Sequence, residues 1–194
     1  MNRCNMDKLI IASGNKGKIK EFKQLLGEKF EILSMAEVGV TDDIEETGKT
    51  FEENATIKAK FVYEKTGLAV LADDSGLVVP SLNGEPGVYS ARYAGENATM
   101  AENKKLLLNN LNGKDRNAYF TCCLVLYDGK AKVFEGKTEG EILFEEKGSN
   151  GFGYDSLFYS KDLNKAFGEC SDEEKNAVSH RGRALKKLCE ELNI

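Results

Sequence analysis

Histidine occurs once in these 194 residues, at His180, and proline only twice. No apolar stretch approaches the roughly 18 residues that a membrane-crossing helix needs, so no membrane partner is expected. Five cysteines (Cys4, Cys122, Cys123, Cys170 and Cys189) make an odd count with no CxxC spacing. With a single histidine beside them, a structural zinc site is not expected. A reduced, cytoplasmic protein is the simplest implication. Cys122 and Cys123 sit inside an apolar run and read as small core residues rather than nucleophiles. The opening MNRCNMDKLIIAS has too short an apolar core for a good secretory signal. Repeats, low-complexity tracts and linkers are also missing, so a single domain over residues 1–194 is expected.

What is present is an ordinary globular composition, 41% hydrophobic and 30% charged. The net charge of −5 argues against a large basic face for nucleic acid. The cations are nevertheless clustered. Lys16, Lys18, Lys20 and Lys23 lie near the start; Lys175, His180, Arg181, Arg183, Lys186 and Lys187 lie near the end. An acidic chain with two local basic patches suits a small polyphosphate better than a duplex.

Lys8 to Ala12 reads as a short buried strand, followed by the loop SGNKGK and a helix with Ile19, Phe22, Leu25 and Leu26 at helical spacing. Strand, glycine loop, helix is the start of an α/β unit. A second strand is expected at 30–34, then an acidic loop at 41–48. Thr50 and Glu53 form a capping box for a helix reaching about Lys65, with Phe51, Ala55, Ala59 and Val62 as its apolar stripe. Asn54 and Lys58 lie one turn apart on a neighbouring face. A third strand, 68–72, feeds Asp73-Asp74. Further elements are a helix over 98–111, a strand over 118–127, a hairpin turn at Asp128-Gly129 with its return at 131–134, and a C-terminal helix from about Ser171.

Asp73 and Asp74 pose the main chemical question, because like charges side by side repel unless split, solvated or neutralised. Adjacent strand residues face opposite ways, so both could serve one site only if the chain turned, which Ser75-Gly76 would permit. One carboxylate on Mg²⁺ or on a water competes with a plain turn in which an Asp bonds nearby amides. SGNKGK could cradle phosphate at a helix N-terminus, although it is not a Walker A loop; a solvated turn is the bland alternative. Glu45 and Glu46 are explained equally by favourable charge before a helix. In GFGYD, Phe152 or Tyr154 could stack on a base, or simply belong to the core. Ser179-His180-Arg181 could donate to an oxo group, or form a solvated basic face.

The segments SGNKGKIKEF, EETGKTFEENATIKA, ADDSGL, GEPGVYSARYAG, GFGYD and EEKNAVSHRGRAL, in this order, resemble the inosine/xanthosine triphosphate pyrophosphatase family from about Lys8 to Leu188. The resemblance implies a mixed α/β fold, with a long curved central sheet and two lobes flanking a deep active-site cleft, usually as a homodimer. It implies Mg²⁺-dependent hydrolysis of ITP, dITP and XTP to the monophosphate and pyrophosphate. Ser13, Gly14, Asn15, Lys16, Gly17 and Lys18 would then hold the triphosphate. Asp74 would be proton acceptor and metal ligand, Glu46 (or its neighbour Glu45) the further metal carboxylate, and Ser75 a substrate contact. Phe152, Gly153, Tyr154 and Asp155 would form the base pocket, completed by Lys175, His180 and Arg181. Members usually read FGYDP, whereas Ser156 follows Asp155 here, removing a fixed φ and restoring an N–H. Other functions compatible with the same residues are a pyrophosphatase for other bases, including modified pyrimidines, a nucleotide sensor without turnover, and a single-stranded nucleic-acid binder.

Overall fold

The computed structural model describes residues 8–194. Cys4 and the first seven residues of the opening MNRCNMDKLIIAS lie outside the described residues. Among the described residues, a mixed sheet of seven strands, in the order β2-β1-β3-β4-β5-β6-β7, carries five α-helices. The mixed α/β class expected from sequence is observed. The chain forms two compact units. The first takes in the chain up to Asp74, Cys123–Phe134 and Leu185–Ile194; the second is Ser75–Cys122 and Glu135–Ala184.

In the first unit, β1 (Lys8–Ala12) pairs in parallel with β2 (Glu31–Ser34), Leu9 opposite Ile32, and with β3 (Val70–Val78), Ile11 opposite Leu71. Between β1 and β2 runs α1 (Lys16–Leu26), which buries Phe22 and Leu26. Between β2 and β3 runs α2 (Phe51–Thr66), opened by the expected Thr50–Glu53 capping box and closed by Gly67 in the left-handed conformation. Ile10, Ala12, Val70 and Ala72 share a core with Ala55, Ala59 and Val62 of α2. Residues of the opposite parity, Leu9, Ile11 and Leu71, are equally buried, as parallel strands covered on both faces should be. Full burial of one such side chain is worth about 1.5–3 kcal/mol.

In the second unit, α3 (Met100–Asn110) buries Leu107 against Phe120 of β4 (Asn117–Tyr127), Leu77 of β3 and Phe158. The hairpin turn at Asp128-Gly129 links β4 to β5 (Ala131–Ile142). β5 extends well past Phe134 and alternates exposed and buried residues over most of its length. It pairs antiparallel with β6 (Phe158–Ser160), which pairs antiparallel with β7 (Lys165–Ala166).

The turn that Ser75-Gly76 would permit does not form: β3 runs straight through Asp73, Asp74, Ser75 and Gly76 to Val78. One local expectation needs correction, because the C-terminal segment is not one helix. Ser179 is extended at φ −66°, ψ 158°, and separates α4 (Asp172–Val178) from α5 (His180–Leu192). Its hydroxyl accepts the Gly182 N–H at 3.1 Å, which makes it the cap of the second helix and gives the break a local cause.

Candidate active site

Because β3 stays extended through the aspartates, the pair is split by parity. Asp74 shares the parity of Val70 and Ala72, so it faces α2; Asp73 shares that of Leu71 and faces the other way. Each carboxylate has its own lysine. Asp73 is fully buried and ion-paired with Lys18 of α1. Asp74 lies 3.3 Å from Lys58 Nζ and accepts from Asn54 Nδ2 at 3.2 Å, both from α2. The same Lys58 ammonium donates to Glu46 at 2.7 Å and to the Asp73 carbonyl at 2.8 Å. Asn54 is fully buried, and its carbonyl oxygen accepts the Gly48 N–H at 2.8 Å, tying the acidic loop to Asp74. A side chain at Gly48 would strike this amide.

Burial raises the Asp74 carboxyl above the ordinary carboxylate range, against the pull of Lys58 and Lys18, and Glu46 pushes the same way as burial. Burial also disfavours the Lys58 ammonium, but Asp74 and Glu46 more than offset it and hold its affinity for the proton above the usual value. The centre is therefore a charged cluster in which burial raises one carboxylate above its ordinary value.

Among the described residues no three His, Cys, Asp or Glu side chains converge as a ready-made metal site. Asp74 and Glu46 do meet on one nitrogen of Lys58. Two hard carboxylate oxygens beside a cation position suit Mg²⁺, which takes one or two protein carboxylates and fills its shell with water and phosphate. The donor set fits. Glu45, the alternative, is exposed, whereas Glu46 is part of the cluster.

The loop at the start of α1 is preformed. Asn15 caps the helix, its side-chain oxygen accepting the Gly17 and Lys18 N–H groups at 2.9 and 3.2 Å, and its own N–H donates to Ser13 Oγ at 3.1 Å. Those amides already have a partner, whereas the Lys16 side chain is exposed. Gly14 is exposed too.

A second cluster lies within the second unit. Asp155 accepts the Phe152 N–H and the Lys175 ammonium, both at 2.7 Å, with each charged side chain 5% exposed. Gly151 and Gly153 have φ +74° and +63°, a left-handed bend that glycine adopts cheaply and that folds Phe152 back over Asp155. Lys175 Nζ lies 4.6 Å from the centre of the Phe152 ring, and the Arg181 guanidinium 5.8 Å. Arg181 is almost wholly buried and donates to Ser75 Oγ at 2.9 Å. His180 stacks on Phe120 with ring centres 4.9 Å apart. Its backbone presses on β5 at Gly136, where any Cβ would collide with the His180 carbonyl.

Tyr154 is a core residue. It is 3% exposed and its hydroxyl donates to the Ser90 carbonyl at 2.9 Å, while burial pushes its ionisation far up. Phe152, half-buried and flanked by cations, is the aromatic placed to meet a planar ring. Sequence reasoning had named neither Lys58 nor Asn54 as site residues. Their one signal was a polar pair one turn apart beside the apolar stripe of α2, which gives no hint of the strand they face.

These features define a mixed α/β protein with a buried lysine–carboxylate centre suited to phosphate chemistry and a cation-flanked aromatic suited to a heterocycle. A model of the Ham1 family matches residues 9–191. Similar proteins include the dITP/XTP pyrophosphatase of Thermoanaerobacter pseudethanolicus, 53% identical with 93% of this chain and 94% of that protein covered. The Bacillus subtilis dITP/XTP pyrophosphatase is 47% identical, with 94% and 96% covered. Among solved structures, a HAM1 protein from Coxiella burnetii superposes with a TM-score of 0.88 at 44% identity, covering 97% of this chain and 99% of that one. The Staphylococcus aureus Ham1 protein gives 0.86 at 44% identity, with 96% and 98% covered. The chain belongs to the Ham1 family.

Proposed function

We infer that this protein hydrolyses the non-canonical purine nucleoside triphosphates ITP, dITP and XTP to the nucleoside monophosphate and pyrophosphate, clearing them from the nucleotide pool. The observation that carries the reading is Asp74: a buried carboxylate held by Lys58 and Asn54, in a cluster with Glu46. The names of the similar proteins supply the substrate class.

In the proposed reaction a water oxygen forms a bond to the α-phosphorus and passes its proton to Asp74, while the bond from that phosphorus to the α,β-bridging oxygen breaks and pyrophosphate leaves. A raised carboxyl makes a better proton acceptor near neutral pH than an ordinary aspartate. Asn54 and Lys58 orient it. Asp74 and Glu46 would hold Mg²⁺, which supplies neutralising charge to the phosphate oxygens. Lys16 and the Ser13–Lys18 loop receive the triphosphate, and Lys18 balances Asp73 so that only Asp74 needs to act.

For the base, Phe152 offers a stacking face, with Gly153 and Tyr154 shaping the loop behind it, while Asp155 and Lys175 lock its position. Arg181 and His180 provide donors for the 6-oxo group of hypoxanthine or xanthine, and Ser75 holds Arg181. Adenine, with an amino group at that position, would leave those donors unpaired in a water-poor site, a large penalty. The single functional domain over 1–194, the homodimer and the cytoplasmic location belong to the same proposal, supported by family resemblance. Among the described residues no helix is long and apolar enough to cross a membrane.

The test is a hydrolysis panel with Mg²⁺: ITP, dITP and XTP against ATP, GTP, CTP and UTP, with pyrophosphate and orthophosphate assayed separately. Rapid pyrophosphate release from the first three alone is expected. Direct orthophosphate release would place attack on the γ-phosphorus and overturn the mechanism; broad release would overturn the purine specificity.

A further inference from the structure

The base loop is braced from behind by a side-chain cluster that belongs to neither group of site residues described above. Ser156 directly follows Asp155 and is 7% exposed. Its hydroxyl donates to Glu146 Oε2 at 2.5 Å and accepts from Lys104 Nζ at 2.9 Å, and Lys104 closes the triangle on Glu146 at 2.6 Å. The backbone is pinned as well. The Ser156 carbonyl accepts the Lys147 N–H at 2.8 Å, and Gly168 comes so close to the Ser156 Cα that a Cβ there would lie only 2.9 Å from it. On the other flank Asn150 donates through its backbone to the Gly168 carbonyl at 2.9 Å and through its side chain to the Cys170 carbonyl at 3.0 Å. The loop from 147 to 156 is thus held at both ends, and Phe152, Gly153 and Asp155 lie between the two anchors.

An all-polar triangle at the foot of a loop is more than a surface ion pair. Exposed pairs contribute little, because both partners must give up side-chain freedom in water. Here a hydroxyl with almost no solvent access both gives and takes a hydrogen bond with a charged group, and such bonds are shorter and stronger than neutral ones. The hydrogen bonds from Lys104 and then from Ser156 hold the Glu146 carboxyl below its ordinary range, so the triangle stays charged at working pH. Lys104 comes from α3, while Glu146 and Ser156 bracket the loop, so the triangle ties the loop to a rigid helix. The Asp155 carboxylate, one residue away, sets the Phe152 amide and the Lys175 ammonium. A shift of the Ser156 backbone would be passed directly to them.

We propose that Ser156, Lys104 and Glu146 form a positioning clamp that holds the Phe152–Asp155 loop in its base-binding shape, and so sets affinity for the base without touching the reacting phosphates. The inference rests on the base-recognition role given to that loop above. Breaking the clamp should therefore raise KM and leave the chemical step alone, since a misplaced binding element costs uniform binding.

The experiment compares Ser156→Ala, Ser156→Thr and Glu146→Gln with the unmodified protein, in steady-state kinetics on ITP and in inhibition of ITP hydrolysis by inorganic tripolyphosphate, which has no base. Ser156→Ala is expected to raise KM for ITP about tenfold, equivalent to about 1.4 kcal/mol, with kcat within about twofold. The tripolyphosphate inhibition constant should stay unchanged. Ser156→Thr, which keeps the hydroxyl, should restore most of the affinity. Glu146→Gln changes a side chain that is 52% exposed, so it tests the clamp even if Ser156→Ala does not fold; its KM should rise by a smaller factor. A lowered melting temperature with unchanged KM in Ser156→Ala or Glu146→Gln would reduce the clamp to plain structure and overturn the proposal. An equal rise in KM and in the tripolyphosphate constant would also overturn it. If the unmodified protein hydrolyses no ITP, the proposed function fails instead, and the two failures are distinct.

Discussion

Asp155 and Asp74 are both buried carboxylates facing a lysine ammonium, yet their contacts differ in kind. Asp155 accepts bonds of 2.7 Å from a backbone N–H and from Lys175. Asp74 makes longer ones, 3.2 Å to Asn54 and 3.3 Å to Lys58, and shares that lysine with Glu46 and with the Asp73 carbonyl. Short bonds, here converging on one carboxylate oxygen, define a shape. Burial raises the Asp74 carboxyl against the pull of Lys58, Lys18 and Asn54, and its longer bonds leave it ready to exchange partners. Groups with perturbed protonation concentrate at working sites for this reason. The comparison teaches that similar burial can serve rigidity in one place and reactivity in another, and that bond length tells them apart.

The largest effect should come from Asp74→Asn, which removes the proton acceptor. Turnover of ITP is expected to fall by about a hundred- to ten-thousand-fold. Stability should move the other way. A carboxyl raised by folding binds its proton more tightly in the folded state, so it favours folding at low pH, and that contribution is lost as pH rises through the folded value. Above that pH the ionised Asp74 is a net cost that asparagine removes. In metal-free buffer at pH 8, Asp74→Asn should melt at or above the temperature of the unmodified protein, and its advantage should shrink toward pH 4. A mutant that unfolds early at pH 8 would show that Asp74 is a structural residue like Asp155.

Lys175→Met should do the reverse. It leaves the Asp155 carboxylate buried without its cation, a change that costs about 3–5 kcal/mol. In a chain of this size each kcal/mol shifts the melting temperature by roughly 2–4 °C. Calorimetry should therefore find a drop of about 6–20 °C. A loss of activity with no change in melting would mean that Lys175 serves the ligand and not the loop.

Much of this contrast was legible before any coordinates. The strand–loop–helix opening, the capping box at Thr50, the hairpin at Asp128-Gly129 and the rule that adjacent strand residues face apart all follow from local pattern, and all are observed. What pattern could not supply was the third dimension of α2. Lys58 reads on the sequence as one lysine among many, and only its position over β3 makes it the common partner of Asp74 and Glu46. For the same reason Glu46 could not be separated from Glu45, nor Phe152 from Tyr154: each pair has matching chemistry, and burial alone divides them. The break at Ser179 was hidden because the apolar spacing of α4 and α5 continues across it, while the cause is one hydroxyl capping Gly182.

Arg181→Ala should have a smaller effect than either aspartate-centred change. The guanidinium is held by Ser75 and lies beside Phe152. Its loss should reduce the preference for ITP over ATP by about tenfold, because the penalty on adenine comes from leaving such donors unpaired. The ratio of kcat/KM values for the two substrates measures it directly. An unchanged ratio would remove Arg181 from base recognition and leave His180 as the remaining donor.

The smallest effect, and the sharpest probe of partner sharing, is the response to metal. If Glu46 and Asp74 exchange the Lys58 ammonium for Mg²⁺, the ion must stabilise the folded chain by mass action. At ten times its dissociation constant that amounts to about 1.4 kcal/mol, or roughly 3–6 °C. Glu46→Gln keeps a neutral oxygen in place but removes half of the anionic charge, so its Mg²⁺-induced rise should be at most about half as large. Asp155, held by Lys175 at 2.7 Å, should contribute nothing to that rise. An equal Mg²⁺ response in the unmodified protein and in Glu46→Gln would mean that Glu46 is held by Lys58 for structure alone. Asp74 would then be the only carboxylate of the cluster left to bind the ion.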